Sequence, residues 1–319
     1  MSEDKYVVVK GTSGLGNRLL SLTTGMLYSG ITGRKLLISW SRGKYPGDPK
    51  DVFYRFFECR PAAKLEGPGV LEGMTINPAT WKGNLEEHYG ILKQRGINDL
   101  SIDVSRDDYT EDVVVFGNYT HMTQQIRPLL ARRIPRLARL DNIRLMRRVL
   151  RGGVLISSGI RREVDTFRRK YLGARTIGVH VRHTDMKIDV GQYFPIVDKL
   201  MRWRKCDIFL STDNRSVEEL FRRRYGRVIT TDKWVPEKGK KIHLNPECPD
   251  PERAEEEALI DMFLLAGCRY LVFSPKSSFG LVASLYSDSP RYRKIAVEKG
   301  LESRIVHWAK AFRDKYFGG

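Results

Sequence analysis

Short apolar runs that stop on polar clusters, each followed by a stripe at helical spacing, recur along this chain. Tyr6–Lys10 is a run of β-branched residues leading into the glycine-rich Gly11–Asn17. Arg18–Gly30 then shows apolar positions at helical period, and Lys35–Trp40 is a second strand. Strand, loop, helix, strand is how doubly wound α/β sheets open. The second half repeats the pattern. Ile177–Val181 and Asp207–Leu210 predict strands, and Val217–Tyr225 and Glu255–Ala266 predict helices. Tyr270–Phe273 predicts another strand, with a polar loop at Ser274–Ser278 and a helix from near Phe279. Val113–Phe116 is a further strand candidate, whereas Ser41–Arg60 and Pro61–Asp103 read as irregular, with several turn residues. Between the halves, Leu129, Leu130, Ile134, Leu137, Leu140, Ile143, Leu145 and Leu150 form the core-facing set of a long helical region. Ser303–Tyr316 predicts a terminal helix with an apolar stripe at Ile305, Trp308, Ala309 and Phe312, suited to packing back on the first lobe.

The polar ends of these strands carry the candidate chemistry. His180, Arg182, His183 and Asp185 end the first strand of the second half; Ser211, Thr212, Asp213 and Asn214 end the next. Ligands of open α/β sheets bind at the carboxyl ends of strands, and a guanidinium there offers a planar fork of donors to phosphate oxygens. Ser277 and Ser278 stand where they can cap the last helix, whose first amides and dipole face the same edge. Together these predict an anion pocket for a nucleotide-type ligand. Gly11, Gly14 and Gly16 read G-x-x-G-x-G, which is neither the dinucleotide fingerprint nor a P-loop, so a NAD or ATP site loses its main support.

The segments HVRHTD, FLSTDN and LIDMFLLAGCRYLVFSPKSSF resemble the three peptide motifs of the α-1,6-, α-1,2- and protein-O-fucosyltransferase superfamily. They are most similar to its α-1,6 branch, and Gly14–Arg18, GLGNR, resembles the N-terminal Gly-x-Gly-Asn loop of several members. The motif-bearing stretches cover about half the chain. The resemblance implies a GT-B-like α/β fold of two Rossmann-type lobes with an interdomain cleft. Residues 1–170 would form the acceptor-side lobe, 171–300 the nucleotide-sugar lobe, and 301–319 the returning helix. It implies a metal-independent, inverting transfer of fucose from GDP-fucose to a glycan or glycoconjugate hydroxyl, and no cofactor. The chain contains no Asp-x-Asp, the motif with which many glycosyltransferases hold a metal.

By the same resemblance, Arg182 matches the essential phosphate-binding arginine. Ser277 and Ser278 match the phosphate-side serines, with the amides of Phe279 and Gly280 as helpers. His180 and Asp261 match residues that contact guanine. Asp213 and Asn214 match a strand-end pair of ribose or structural role, and Asp185 closes the first motif. Gly14, Gly16, Asn17 and Arg18 match the loop whose amide-bearing residue faces the sugar. Asp189 lies within one residue of the branch's glutamate and is the candidate general base, with Lys187 as its neighbour; Asp51 and Glu58 are the reserve acids. Two departures stand out. His183 replaces the branch's second arginine, and Phe279 stands where a glutamine usually follows the serines. Two other classes stay open: a GT-B transferase with another nucleotide sugar, and a non-catalytic binder of sugar nucleotides or anionic surfaces.

Composition changes the picture in one respect. A formal charge of +18 over 319 residues calls for an anionic partner. Arginines concentrate in Arg127–Arg175, fourteen of them against only Asp141, Glu163 and Asp165. That segment suits an anionic membrane face or a phosphate-bearing acceptor, or is a solvated face. No nucleic-acid-binding motif accompanies it. Four separated cysteines suggest neither zinc nor a disulfide framework, and the start of the chain lacks the charged and apolar regions of a signal peptide. The expected compartment is a reducing cytoplasm, with peripheral membrane contact.

Overall fold

The computed structural model describes residues 4–40, 53–62, 71, 73–85, 87, 89–183, 189–202, 206–236 and 247–297. The chain divides into two units, Met1–Ser158 and Gly159–Gly319. Asp51, Asp185, Lys187 and the Ser303–Tyr316 helix expected from sequence lie outside the described residues.

The first unit runs Tyr6–Gly11 (β1), Leu15–Thr32 (α1), Lys35–Ser39 (β2), Phe53–Phe56 (α2), Phe57–Cys59 (β3), Ile76–Asn77 (β4), Tyr89–Gln94 (α3) and Val113–Asn118 (β5). It continues with Arg127–Arg133 (α4), Pro135–Ala138 (α5), Asn142–Gly153 (α6) and Val154–Ile156 (β6). Its main sheet has the order β2-β1-β5-β4, parallel throughout, and β3 pairs with β6 antiparallel. Every residue of β1 is buried, which accounts for its unbroken apolar run: a parallel strand covered on both faces has no polar side to alternate with. At one end of this sheet the buried Arg34 guanidinium donates to the carbonyls of Tyr109, Glu111, Asp112 and Tyr6, tying the segment before β5 to the start of β1. At the other end, Gly11 admits the Trp40 ring, which would lie 2.2 Å from any Cβ placed there.

The second unit opens with Ser158–Tyr171 (α7), which begins at the boundary. Ile177–Val181 (β7), Phe194–Arg202 (α8), Ile208–Thr212 (β8), Arg215–Arg224 (α9) and Val228–Ile229 (β9) follow. Then come Pro251–Gly267 (α10), Tyr270–Phe273 (β10), Ser278–Tyr286 (α11) and Lys294–Ala296 (β11). The sheet order is β11-β10-β7-β8-β9, again parallel throughout. Ile177, Val179, Ile208, Leu210, Val272 and Ile295 supply the sheet's share of a core closed by Val197, Val217 and Phe221 from the helices.

Several boundaries differ from the sequence reading. α1 starts at Leu15 rather than Arg18, because Gly14 serves as its extended N-cap residue after a left-handed Ser13. Gly16, Asn17 and Arg18 therefore sit in a helical turn, not in a loop. The long helical region expected from Leu129 to Leu150 is three helices: Pro135 opens the second, and the Asp141 carboxylate caps the third by accepting from the Arg144 amide at 2.8 Å. Of its expected core residues, Leu129, Leu130, Leu145 and Leu150 are buried, while Ile143 is exposed. The segments read as irregular contain α2, β3, β4 and α3, all too short to show a period. Among the described residues, no helix is long and apolar enough to cross a membrane.

Candidate functional site

In the second unit, β10, β7 and β8 lie side by side and parallel, so their carboxyl ends form one edge. The register sets Phe273 beside His180, and His180 beside Ser211. Arg182 and His183 follow β7 there, Asp213 and Asn214 follow β8, and the Ser274–Ser277 turn follows β10. The local sequence explains each exit. Asn214 accepts from the amides of Ser216 and Val217 and starts α9, so its role is that of a helix cap. Ser277 holds the N-cap position of α11 without a side-chain capping bond, leaving the first amides of that helix with no intrahelical acceptor by position.

Arg182 and Asp213 form the clearest contact. Nε of Arg182 lies 3.3 Å from Oδ2 of Asp213, and the other oxygen of that carboxylate accepts from the His183 amide at 2.8 Å. The carboxylate is nearly buried, while Arg182 keeps 21% of its side chain exposed. Asp213 thus fixes both the guanidinium and the backbone that follows it.

His180 is buried beneath α11. Its ring stacks on Phe279 with centroids 4.9 Å apart and planes 24° apart. A Cβ added to Gly280 would lie 2.9 Å from His180 Nδ1 and 3.1 Å from the Phe273 Cβ, so only glycine lets the first turn of α11 approach this closely. Burial, reinforced by the charges of Arg182 and Lys233, pushes the imidazole pKa down to about 3. The ring is therefore neutral at physiological pH, and its Nδ1 has no partner among the described residues.

Asp261, on α10, is 1% exposed and heavily engaged. Oδ2 accepts from Ser211 Oγ at 2.8 Å and from Lys233 Nζ at 2.5 Å, and Oδ1 accepts from Thr231 Oγ1 at 2.6 Å. The sequence reading of Asp261 as an open acceptor for a base did not include Lys233. A single lysine in the aperiodic stretch after β9 gives no signal of its own, and only the fold brings it to α10.

The remaining candidates belong to other segments of the chain. Asp189 is exposed and caps a short turn, accepting from the Gly191 amide at 2.9 Å. In the first unit, Asn17 Nδ2 donates to Ser13 Oγ at 2.8 Å. Arg18 is buried, donates from Nε to the Ser13 carbonyl at 3.0 Å, and stacks over Trp40 at 5.5 Å. It therefore shapes the Gly14–Gly16 turn from inside. Glu58 is exposed on β3. Among the described residues, no three His, Cys, Asp or Glu side chains converge on a point that could hold a metal ion.

No family model matches the chain. It is 26% identical over 321 residues to nodulation protein Z of Azorhizobium caulinodans, covering 89% of each chain. Among solved structures it is similar to the NodZ alpha-1,6-fucosyltransferase soaked with GDP-fucose, at a TM-score of 0.64 and 21% identity, covering 89% of this chain and 93% of the other. POFUT1 in complex with GDP-fucose superposes at a TM-score of 0.52 and 10% identity, over 92% of this chain and 97% of that one. The fold these comparisons share is the GT-B-type α/β arrangement with two parallel sheets that the motif resemblance implied.

Proposed function

We propose that the chain is a fucosyltransferase-like glycosyltransferase carrying out a metal-independent, inverting transfer of fucose from GDP-fucose to a glycan or glycoconjugate hydroxyl, a reading supported by its likeness over most of its length to nodulation protein Z and to the NodZ alpha-1,6-fucosyltransferase structure. The observation that carries this reading is Arg182, fixed by Asp213 at the carboxyl edge of β7, beside the start of α11. In the reaction the acceptor oxygen attacks the anomeric carbon, the bond from that carbon to the β-phosphate oxygen breaks, and the electron pair leaves with GDP. Negative charge grows on the leaving diphosphate. The Arg182 guanidinium and the first amides of α11 are fixed donors for it, so no solvent reorganisation is needed as it develops. The acceptor proton passes to a carboxylate, for which Asp189 is the candidate, its Oδ1 already anchored by the Gly191 amide.

In this reading the C-terminal lobe takes the nucleotide sugar and the N-terminal lobe, with Gly14–Arg18, serves the acceptor. Arg132, Arg133, Arg136, Arg139, Arg144 and Arg148 are exposed on α4–α6 and suit an anionic surface, whether a membrane face or a phosphate-bearing acceptor.

The test is a thermal-shift panel of GDP, UDP and ADP in the presence of EDTA, followed by transfer assays. GDP raises Tm without added metal, and Arg182→Ala abolishes both the shift and the transfer. The lost charge-assisted contacts are worth about 1.5–3 kcal/mol. Full activity in Arg182→Ala, or strict dependence on manganese, overturns the assignment.

A further inference from the structure

The engagement of Asp261 leaves it unable to act alone as a two-pronged acceptor. A carboxylate offers about four lone-pair positions. Ser211 and Lys233 occupy both on Oδ2, and Thr231 takes one on Oδ1. One acceptor position is left. The ammonium of Lys233, by contrast, has three N–H donors and gives one of them to Asp261. Exposure points the same way: Lys233 keeps 14% of its side chain accessible and Asp261 only 1%, so an arriving ligand meets the lysine first.

We propose that Lys233 is a base-specificity residue of the nucleotide site, donating to the 6-oxo group of a purine while Asp261 accepts only from the adjacent N1–H. This deepens the reading of the site as one for a GDP-linked donor and rests on it. The edge of guanine presents an acceptor at O6, then donors at N1 and at the 2-amino group. A lysine beside a carboxylate with one acceptor position left complements the first two and leaves the third unread. Adenine presents a donor and an acceptor in the reverse order, so it meets donor with donor and acceptor with acceptor.

Titration of the intact wild-type protein tests the proposal without any variant. Inosine diphosphate, which lacks only the 2-amino group, binds within about threefold of GDP, while ADP binds about 100-fold more weakly, the cost of two mismatched polar contacts. Inosine diphosphate binding about 100-fold worse than GDP shows instead that Asp261 reads both donors with the lysine displaced, and overturns the proposal. Lys233→Met supplies the second measurement. GDP affinity falls about 10- to 100-fold while inorganic pyrophosphate holds its affinity, because only the base contact is lost. Unchanged GDP affinity refutes the role, and equal losses of GDP and pyrophosphate make Lys233 a structural counter-ion. A wild-type protein with no preference for GDP over UDP and ADP overturns the donor assignment itself, and this inference with it.

Discussion

The buried, neutral His180 makes the stability of this protein sensitive to mild acid. Its pKa falls from the ordinary 6.5 to about 3 through burial, aided by Arg182 and Lys233. Above pH 6.5 the ring is neutral in both folded and unfolded chains, and the difference contributes nothing. As pH falls below 6.5, the unfolded chain takes up the proton and the folded one does not, so stability is lost progressively down to the folded pKa. At pH 5, roughly one and a half units below the ordinary value and at about 1.4 kcal/mol per unit, the penalty is about 2 kcal/mol. Urea unfolding of wild type and His180→Gln at pH 7.5 and pH 5 isolates the effect. Carboxylates and His121, which is also held below its ordinary value by burial, contribute equally to both proteins and cancel. Wild type therefore loses about 2 kcal/mol more between the two pH values than the variant does. Identical losses would mean that His180 is reached by water or by a counter-charge, and the desolvation argument would fail.

Gly280→Ala places a methyl 2.9 Å from His180 Nδ1 and 3.1 Å from the Phe273 Cβ. Overpacking of this kind costs about 1–3 kcal/mol in unfolding free energy, and GDP affinity falls with it as the start of α11 shifts; unchanged values for both would show slack that the packing does not suggest. Asp189→Asn keeps donor affinity near wild type and lowers turnover by about 10²–10⁴-fold if Asp189 takes the acceptor proton. Near-normal turnover would pass that role to Glu58 or to another acid.

The strands that carry the site were legible because parallel strands buried on both faces leave no ambiguity of period. Ile177–Val181 and Tyr270–Phe273 have the same bounds in sequence and structure. The short edge strands Val228–Ile229 and Lys294–Ala296 went unseen, since two or three residues carry no pattern and owe their conformation to the strand beside them. Candidate residues on strand ends could be located from sequence, because a side chain's place there follows from the strand itself. Their partners could not. Asp213 meets Arg182 across neighbouring strands, and Lys233 meets Asp261 across the interval between β9 and α10. Both are products of topology. The surroundings of Arg18 were likewise not legible: its guanidinium lies over Trp40 inside the first unit, a contact that no spacing in the sequence announces.

The order in which strands join each sheet bears on how the chain folds as it is synthesised. In both units the first main-sheet strand made is an interior one: β1 lies between β2 and β5, and β7 between β8 and β10. Emerging from the ribosome, β7 can pair early with β8, but its other edge waits until Tyr270–Phe273 has been translated. At typical elongation rates of about 5–20 residues per second, that edge stays open for several seconds. An unpaired, mostly apolar parallel strand is an aggregation hazard over that time, which makes the nascent second unit a client for chaperones. The strand that closes that edge leads directly into Ser277 and α11, so the carboxyl edge carrying Arg182 and the start of α11 is assembled late, with only β11 still to join the sheet. A chain truncated before β10 would therefore lack both this protection and the α11 side of the candidate site.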